Sequence, residues 1–380
     1  MAKMRIESIE VFVAGHWPFV HVTTECGLTG AGESTYFSHP QAISVAFEDL
    51  KPDLIGQDPM RAEFHFQRLF KRHCIRDSLL MGALSALDQA LWDIKGKALG
   101  APVWQLLGGK VRDRIRAILL VEALTETEMF EKGREAKREG FTALKIKPFI
   151  DNWNTLPAAL ATKTVAERVL AFREELGWDI DIAVEAHRNL TPASAAEFAR
   201  EILPARPYFI EDPVVPFSVA SNVAVAEAIP ANVAVAERNT NIWEFREYSD
   251  AHGVSILRPD AGLAGGFTQL KKIAAIAESR SQRIVPHNFT SPFITACHVQ
   301  LAASTVNWDV QGYVRENRSP WTDVTTTIND IENGFLTIPD RPGIGMELNL
   351  DYLRTAAYEP MGSKFHHGAI RGMDGAVKHL

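Results

Sequence analysis

The chain has 380 residues, of which 46% are hydrophobic and 23% charged, as is typical of a soluble globular protein of one large or two smaller domains. Its net charge of −7 argues against a nucleic-acid or anionic-membrane partner, and three widely spaced cysteines imply no disulfide framework. Because the sequence carries neither an apolar signal core nor the ~20 apolar residues that cross a bilayer, we expect a cytoplasmic protein.

The first 112 residues combine strand and helix patterns. Residues 5–13 and 20–25 alternate as antiparallel strands do, and Gly27-Leu-Thr-Gly30 is typical of the turn between two strands. From Leu80 to Ile94, apolar residues recur at steps of three and four, which predicts a helix with one apolar face that ends near Gly100. We predict an α+β domain over residues 1–112.

Strand and helix patterns alternate from residue 113 to about residue 340. Eight short apolar runs, each bounded by turn residues, indicate buried parallel strands at 115–121, 142–147, 181–185, 208–211, 233–237, 254–257, 283–285 and 309–311. Eight such strands in about 200 residues predict a (β/α)₈ barrel or a close variant of it. Residues 341–380 lack the alternation, and we expect them to pack back on the N-terminal domain.

Three glutamates end successive predicted strands, and each is 26 residues from the next: Glu185, Glu211 and Glu237. Successive parallel strands end on one rim of a barrel, where α/β barrels hold their chemistry. At ~4 Å, each pair of carboxylates would repel by about 4 kcal/mol even in a fairly polar interior, so a cation is needed. All-oxygen ligands suit Mg²⁺, and we predict that these three residues bind one such ion.

Groups able to transfer protons end other strands on the same rim. Lys145 and Lys147 are two residues apart and share a face, and each should lower the pKa of the other, so that one can act as a base. His187 is likewise two residues after the first glutamate. Asp260 and His287 end the sixth and seventh strands, where a hydrogen bond between them would orient the imidazole and raise its basicity.

A lysine on one side, a histidine–aspartate pair on the other and a metal below suit one chemical task. Removing a proton from the carbon beside a carboxylate produces concentrated negative charge, which a divalent ion stabilises as a Lewis acid. We therefore expect the partner to be a small-molecule carboxylate.

These residues resemble the enolase superfamily in its mandelate racemase-like subgroup, and most of all its sugar-acid dehydratases. The resemblance is carried by residues 85–100, the Lys145-Ile-Lys147 motif, the three glutamates, residues 260–266 and His287-Asn288. It implies an α/β fold, a modified (β/α)₈ TIM-type barrel, with the N-terminal α+β domain as a cap that closes over the barrel and selects the substrate. Barrels of this type often assemble, so a homo-oligomer is expected.

The resemblance also implies a role for each residue of the site. Glu185, Glu211 and Glu237 correspond to the Mg²⁺ ligands. Lys147 corresponds to one base, and Lys145 to its electrostatic partner and a binder of the substrate carboxylate. His287, oriented by Asp260, corresponds to the opposite base or acid, while His187 stands where dehydratases keep the acid for the departing hydroxyl.

Two positions depart from the family pattern. The first metal ligand is more often aspartate than glutamate, and the glutamate that usually ends the eighth strand is replaced by Gly312. Glu316, four residues later, is the candidate to replace it in binding substrate.

Three functional hypotheses follow. The leading one is a Mg²⁺-dependent dehydratase that converts a sugar acid to a 2-keto-3-deoxy acid, because racemisation would not need His187 as an additional acid. The second is a racemase or epimerase of a 2-hydroxy or sugar acid, for which Lys147 and His287 suffice. The third is a metal-binding barrel without turnover, suggested by Gly312. The sequence names neither the sugar acid nor its stereochemistry.

Overall fold

A computed structural model describes residues 4–36, 39–150, 153–359 and 374–376. It begins with a three-stranded antiparallel sheet, whose middle strand pairs with both others. Of the three helices in this domain, two pack on the sheet and the second in chain order packs on those two. The sheet consists of β1 (Ile6–Ala14), β2 (Trp17–Thr24) and β3 (Thr29–Glu33), and the helices are α1 (Pro40–Leu54), α2 (Ala62–Arg72) and α3 (Ser78–Leu99).

Helix α3 lies between this sheet and the rest of the molecule. It starts at the Asp77 side chain, which accepts a hydrogen bond from the Leu80 amide, and ends at Gly100 in the left-handed conformation, as predicted. Its burial differs from the predicted single apolar face. Polar residues are buried as well, because Asp88 faces a helix of the second domain through Thr268, whereas Gln89 bonds to the backbone of Glu33 and Ala261.

Eight parallel strands follow in sequence order, and the eighth pairs with the first, so the sheet closes into a barrel. The strands are β4 (Arg114–Val121), β5 (Ala143–Ile146), β6 (Asp181–Glu185), β7 (Ile210–Glu211), β8 (Val233–Val235), β9 (Val254–Leu257), β10 (Arg283–Ile284) and β11 (Gln311–Tyr313). The helices are α4 (Val103–Leu106), just before the barrel, and α5 (Glu126–Arg138), α6 (Ala158–Leu176), α7 (Pro192–Ile202), α8 (Val219–Ala228), α9 (Ile242–Ser249), α10 (Gly266–Glu278) and α11 (Pro292–Ala303) between its strands.

The barrel is a modified one, as predicted, and it departs from the regular pattern at its eighth unit. Strand β11 begins two residues later than the predicted run at 309–311. A four-residue helix, α12 (Trp321–Val324), and the hairpin of β12 (Ile331–Glu332) and β13 (Phe335–Thr337) follow it. Strand β13 pairs antiparallel with the first three residues of β4, whereas β11 pairs with the next three.

The segment that follows the last helix, up to residue 359, contacts the N-terminal sheet. After α13 (Leu350–Thr355), the Gly15 amide donates to the Ala357 carbonyl and the Glu359 amide donates to the Gly15 carbonyl, both at 2.9 Å. Residues 360–373 and 377–380 of the predicted C-terminal segment lie outside the described residues. Within the described ranges, none of the helices is both long and apolar enough to cross a membrane.

One layer of side chains fills the barrel interior and sets the orientation of the next layer. Each strand, or the residue next to it, contributes one buried apolar residue to this layer: Ile118, Ala143, Ala183, Phe209, Ala234, Ile256, Val285 and Val310. Strand residues two apart share a face. The residues two positions later therefore also point inward, nearer the carboxyl ends of the strands, and they include Lys145, Glu185, Glu211, Arg258 and His287.

Candidate active site

Two of the three predicted metal ligands lie side by side at the floor of the site. Glu185 and Glu211 are register partners on β6 and β7, which the 26-residue spacing anticipates. The Lys145 ammonium lies between them, with Nζ 2.9 Å from Glu185 Oε2 and 2.9 Å from Glu211 Oε1. Both carboxylates are almost fully buried, so Lys145 provides positive charge that water cannot supply.

Glu237 reaches the site by a different backbone path. Strand β8 ends at Val235, and Ala236 adopts a left-handed conformation with φ of 82°. This turn interrupts the alternation of side chains, so the inward direction of Glu237 does not follow from strand geometry. Burial alone would raise the pKa of Glu237, but the positive charges of His287 and Arg188 hold it well below its usual value.

Two arginines outside the predicted set of site residues neutralise these carboxylates. Arg258 Nη2 lies 3.1 Å from Glu211 Oε1, and Arg188 Nη1 lies 2.5 Å from Glu237 Oε1 and 3.1 Å from Asp212 Oδ2. All of these side chains are largely buried. Burial raises the pKa of Asp212 to about 8, and the nearby carboxylate of Glu237 acts in the same direction because it opposes ionisation of Asp212.

The donor set fits a hard divalent ion in kind, but its arrangement is that of an ion-pair network. Among the residues that the structure describes, no three His, Cys, Asp or Glu side chains are grouped so that they could hold a metal ion. Glu185 Oε2 is buried without a well-formed hydrogen bond, although Lys145 Nζ lies 2.9 Å away. An ion bound by all three glutamates would have to displace Lys145 and Arg188 from their present partners.

The two lysines differ in their surroundings. Burial tends to lower the pKa of Lys145, but the charges of Glu185 and Glu211 outweigh burial and raise it. The prediction that the lysines lower each other's pKa is therefore wrong for Lys145, which stays protonated. Lys147 is more open, with a side chain 29% exposed and Nζ 3.7 Å from Glu185 Oε1.

The predicted hydrogen bond between His287 and Asp260 is present. His287 Nδ1 lies 2.7 Å from Asp260 Oδ2, and the other carboxylate oxygen of Asp260 accepts from the Gly262 amide, also at 2.7 Å. Burial would lower the pKa of His287, but the charge of Glu237 and the bond to Asp260 raise it. His287 is therefore a group that can hold a proton near neutral pH, with Nδ1 directed at Asp260.

His187 lies beside the carboxylates, but its surroundings do not suit an acid. Its Nε2 is 3.8 Å from Glu185 Oε1 and 2.7 Å from Arg188 Nη2. Since an arginine can only donate, this nitrogen is the acceptor. Burial lowers the pKa of His187 to about 4 despite the nearby Glu185. His187 is neutral at neutral pH and has no proton on the nitrogen that faces Arg188.

Glu316 is held inside the protein. Only 1% of the residue is exposed, and Oε2 accepts hydrogen bonds from the Asn329 amide at 3.1 Å and from Asn329 Nδ2 at 2.9 Å. Burial raises its pKa to about 7. Binding of substrate by Glu316 would have to break its contacts with Asn329, so this prediction gains no support from the geometry.

A backbone contact explains the glycine at position 312, which lies in the middle of β11 and not at its end as predicted. A Cβ atom on Gly312 would lie 2.8 Å from the carbonyl oxygen of Pro286, the residue before His287. A glutamate at position 312 would therefore force the two strand ends apart.

Comparison with known proteins identifies the family. Residues 128–352 match the profile described as "Enolase C-terminal domain-like", and residues 9–108 match that of the "Mandelate racemase / muconate lactonizing enzyme, N-terminal domain". A D-galactonate dehydratase from Verminephrobacter eiseniae is 33% identical over 354 residues, which are 91% of this chain and 92% of that protein. Another from Klebsiella pneumoniae is 33% identical and covers 88% of this chain and 89% of its own.

Solved structures agree in fold. An enolase from Agrobacterium radiobacter, provisionally assigned as a galactarate dehydratase and solved with sodium and L-malate, superposes with a TM-score of 0.89 at 27% identity, covering 93% of this chain and 95% of that one. A mandelate racemase/muconate lactonizing enzyme from Jannaschia gives 0.86 at 30% identity, covering 93% and 98%. The chain therefore belongs to the enolase superfamily, in its mandelate racemase-like subgroup, and is an enzyme of the hydro-lyase class.

Proposed function

We propose that this protein is a Mg²⁺-dependent dehydratase of a sugar acid. Relatives that match nearly the whole chain carry the name D-galactonate dehydratase, which supports both the reaction and the substrate class. The observation that carries the proposal is the hydrogen-bonded His287–Asp260 pair. In the order of the barrel strands, the strand before His287 is three places from the strand before Lys147, and Lys147 Nζ lies 3.7 Å from the buried Glu185.

The chain's own residues divide the proton transfers between two sides. Lys147, the more open lysine, removes the proton from the carbon beside the substrate carboxylate. His287, whose pKa is raised, delivers a proton to the departing β-hydroxyl, and the enol that results becomes a 2-keto-3-deoxy acid. Asp260 keeps the proton-bearing imidazole in place throughout. Protonated Lys145 attracts the substrate carboxylate, and His187 contributes as a hydrogen-bonding neighbour rather than as the acid.

In this proposal Glu185, Glu211 and Glu237 hold one Mg²⁺ ion. When bound, the ion supplies positive charge for the negative charge that develops on the substrate carboxylate. Without the ion, Lys145, Arg188 and Arg258 offset the negative charge of these carboxylates.

One observation favours a second candidate, a racemase or epimerase. His187 is neutral and accepts a hydrogen bond from Arg188, so it is poorly suited to protonate a departing hydroxyl. That predicted role was the reason to prefer dehydration over racemisation. Racemisation needs only Lys147 and His287 on opposite sides of the substrate carbon. The hypothesis of a metal-binding barrel without turnover has no support from the relatives, which carry the name of an enzyme; the match covers 92% of the one from Verminephrobacter eiseniae.

Incubation with a panel of sugar acids in D₂O and Mg²⁺, starting with D-galactonate and galactarate, tests the proposal. We expect a keto product, detected as its semicarbazone, and its loss in Lys147→Met and His287→Asn. Lys163→Met, at an exposed lysine on α6, is the matched control. Deuterium uptake beside the carboxylate with inversion and without keto product would establish the racemase instead. A homo-oligomer and a cytoplasmic location stay predictions from the sequence.

A further inference from the structure

A buried glutamine of the N-terminal domain joins that domain to the loop that carries Asp260. Gln89 on α3 is fully buried, and its Nε2 donates to the Glu33 carbonyl at 3.0 Å and to the Ala261 carbonyl at 2.8 Å. Its Oε1 accepts from the Glu33 amide at 2.9 Å. Since Ala261 directly follows Asp260, Gln89 holds the backbone next to one member of the catalytic pair.

The side chain of Glu33 holds the loop that carries the other member. Its Oε1 accepts from the Ser291 amide at 3.3 Å, and its Oε2 accepts from the Ser291 hydroxyl. Ser291 lies four residues after His287 and begins α11, because its Oγ accepts from the Phe293 amide at 3.0 Å. Glu33 thus fixes the point at which the loop after His287 turns into a helix.

A third contact depends on a glycine of the loop after Asp260. The Thr35 amide donates to the Gly262 carbonyl at 3.0 Å, while the Gly262 amide donates to the Asp260 carboxylate. A Cβ atom at position 262 would lie 2.6 Å from Thr35 Cγ2 and 2.7 Å from the Thr35 nitrogen. The glycine-rich run at 262–266 therefore lets the N-terminal domain approach the residue that orients His287.

We propose that Glu33 and Gln89 are positioning residues, which hold the loops of Asp260 and His287 so that the catalytic pair forms only when the N-terminal domain is docked. This inference rests on the proposed function in that it takes His287 and Asp260 as the proton-transfer pair. Neither residue touches the reacting atoms in this scheme. Their effect passes through Ala261 on one side and Ser291 on the other.

The same interface contains a matched control. Asp88 precedes Gln89 on α3 and is equally buried, but its carboxylate accepts from the amide and hydroxyl of Thr268 on α10. It therefore contributes to docking without holding either loop. For Glu33, burial raises the pKa to about 8, so a neutral side chain of the same shape should serve at neutral pH.

The test compares Gln89→Leu, Glu33→Ala and Glu33→Gln with Asp88→Asn. With the sugar acid turned over in the panel, we expect Gln89→Leu and Glu33→Ala to lower kcat by ~10- to 100-fold with little change in KM, as for a catalytic group displaced by about 1 Å. Glu33→Gln should keep most of the activity that Glu33→Ala loses. Asp88→Asn should keep its kcat when it is compared with the first two variants at the same thermal stability. Independently of turnover, hydrogen–deuterium exchange should accelerate in residues 258–266 and 287–293 of the first two variants.

Equal loss of kcat in Asp88→Asn and Gln89→Leu, or unchanged exchange in the two loops, would overturn the inference. If Gln89→Leu does not fold, Gly262→Ala displaces Thr35 instead and is judged by the same two criteria. Should the wild-type protein turn over no sugar acid, the proposed function fails, while the exchange comparison still decides whether Glu33 and Gln89 hold these loops.

Discussion

When no divalent ion is present, Lys145 should contribute most to offsetting the charge of the buried carboxylates of Glu185 and Glu211. Its ammonium lies 2.9 Å from an oxygen of Glu185 and 2.9 Å from one of Glu211, and the exposed fractions of these two side chains are 5% and 0%. Removing one partner of a buried ion pair typically costs about 3–5 kcal/mol. Because burial already raises the pKa of Glu211, proton uptake by that carboxyl offsets part of the cost. We expect Lys145→Met to lower the free energy of unfolding by about 3 kcal/mol at pH 7.

Urea denaturation in buffer treated with chelator measures this loss. Lys147→Met is the matched control, since its Nζ is 3.7 Å from one oxygen of Glu185 and its side chain is 29% exposed, and it should cost less than about 1 kcal/mol. Mg²⁺ at about 100 times its Kd should return roughly 2.7 kcal/mol to the Lys145 variant. If the two variants lose the same stability without the ion, the reasoning about the floor of the site is wrong.

Three other predictions follow from single contacts. Burial lowers the pKa of His298 from 6.5 to about 4, so the unfolded chain binds a proton that the folded chain does not, and stability should fall by about 2 kcal/mol as the pH drops from 6.5 to 5. In urea denaturation at both pH values, His298→Gln should lose most of this slope while keeping an acceptor for the Ala261 amide. Glu237→Gln should weaken Mg²⁺ binding by ~10-fold or more in calorimetry, and unchanged affinity would remove Glu237 from the ligand set. Gly312→Ala should destabilise the protein by about 1–3 kcal/mol, measured by urea denaturation, because its methyl group meets the Pro286 carbonyl, and an unaffected variant would show that the strand ends can separate freely.

The closed barrel was predictable because each strand-plus-helix unit leaves its own signal in the sequence. The 26-residue interval between Glu185 and Glu211 corresponds to a register pair. The second interval of 26 residues does not, because Glu211 pairs with Ala234, three residues before Glu237. Arg258 was predictable by the same logic, because it stands two residues after the interior Ile256 and two before Asp260. It was overlooked because the charge of the carboxylates was assigned wholly to a metal ion.

Other parts of the site could not be predicted from strand patterns. Arg188 and its neighbour His187 both have positive φ angles, of 66° and 50°, and such a backbone sends side chains in directions that alternation does not describe. The close approach of Gly312 to the Pro286 carbonyl also leaves no signal in the sequence, because it brings together two backbone segments that are distant along the chain. Glu316 was selected for its position in the sequence alone, whereas its direction is set by Asn329.

The pairing between Gly15 and residues 357–359 bears on the order in which the chain is synthesised. Strand β1 is the outer strand of its sheet, and the segment that covers its end is synthesised more than 300 residues later. Contacts between such distant segments form slowly, so the end of β1 stays unpaired in the nascent N-terminal domain until residues 357–359 have been synthesised. Chaperone dependence during translation, and aggregation of chains that terminate early, are the physiological consequences to look for.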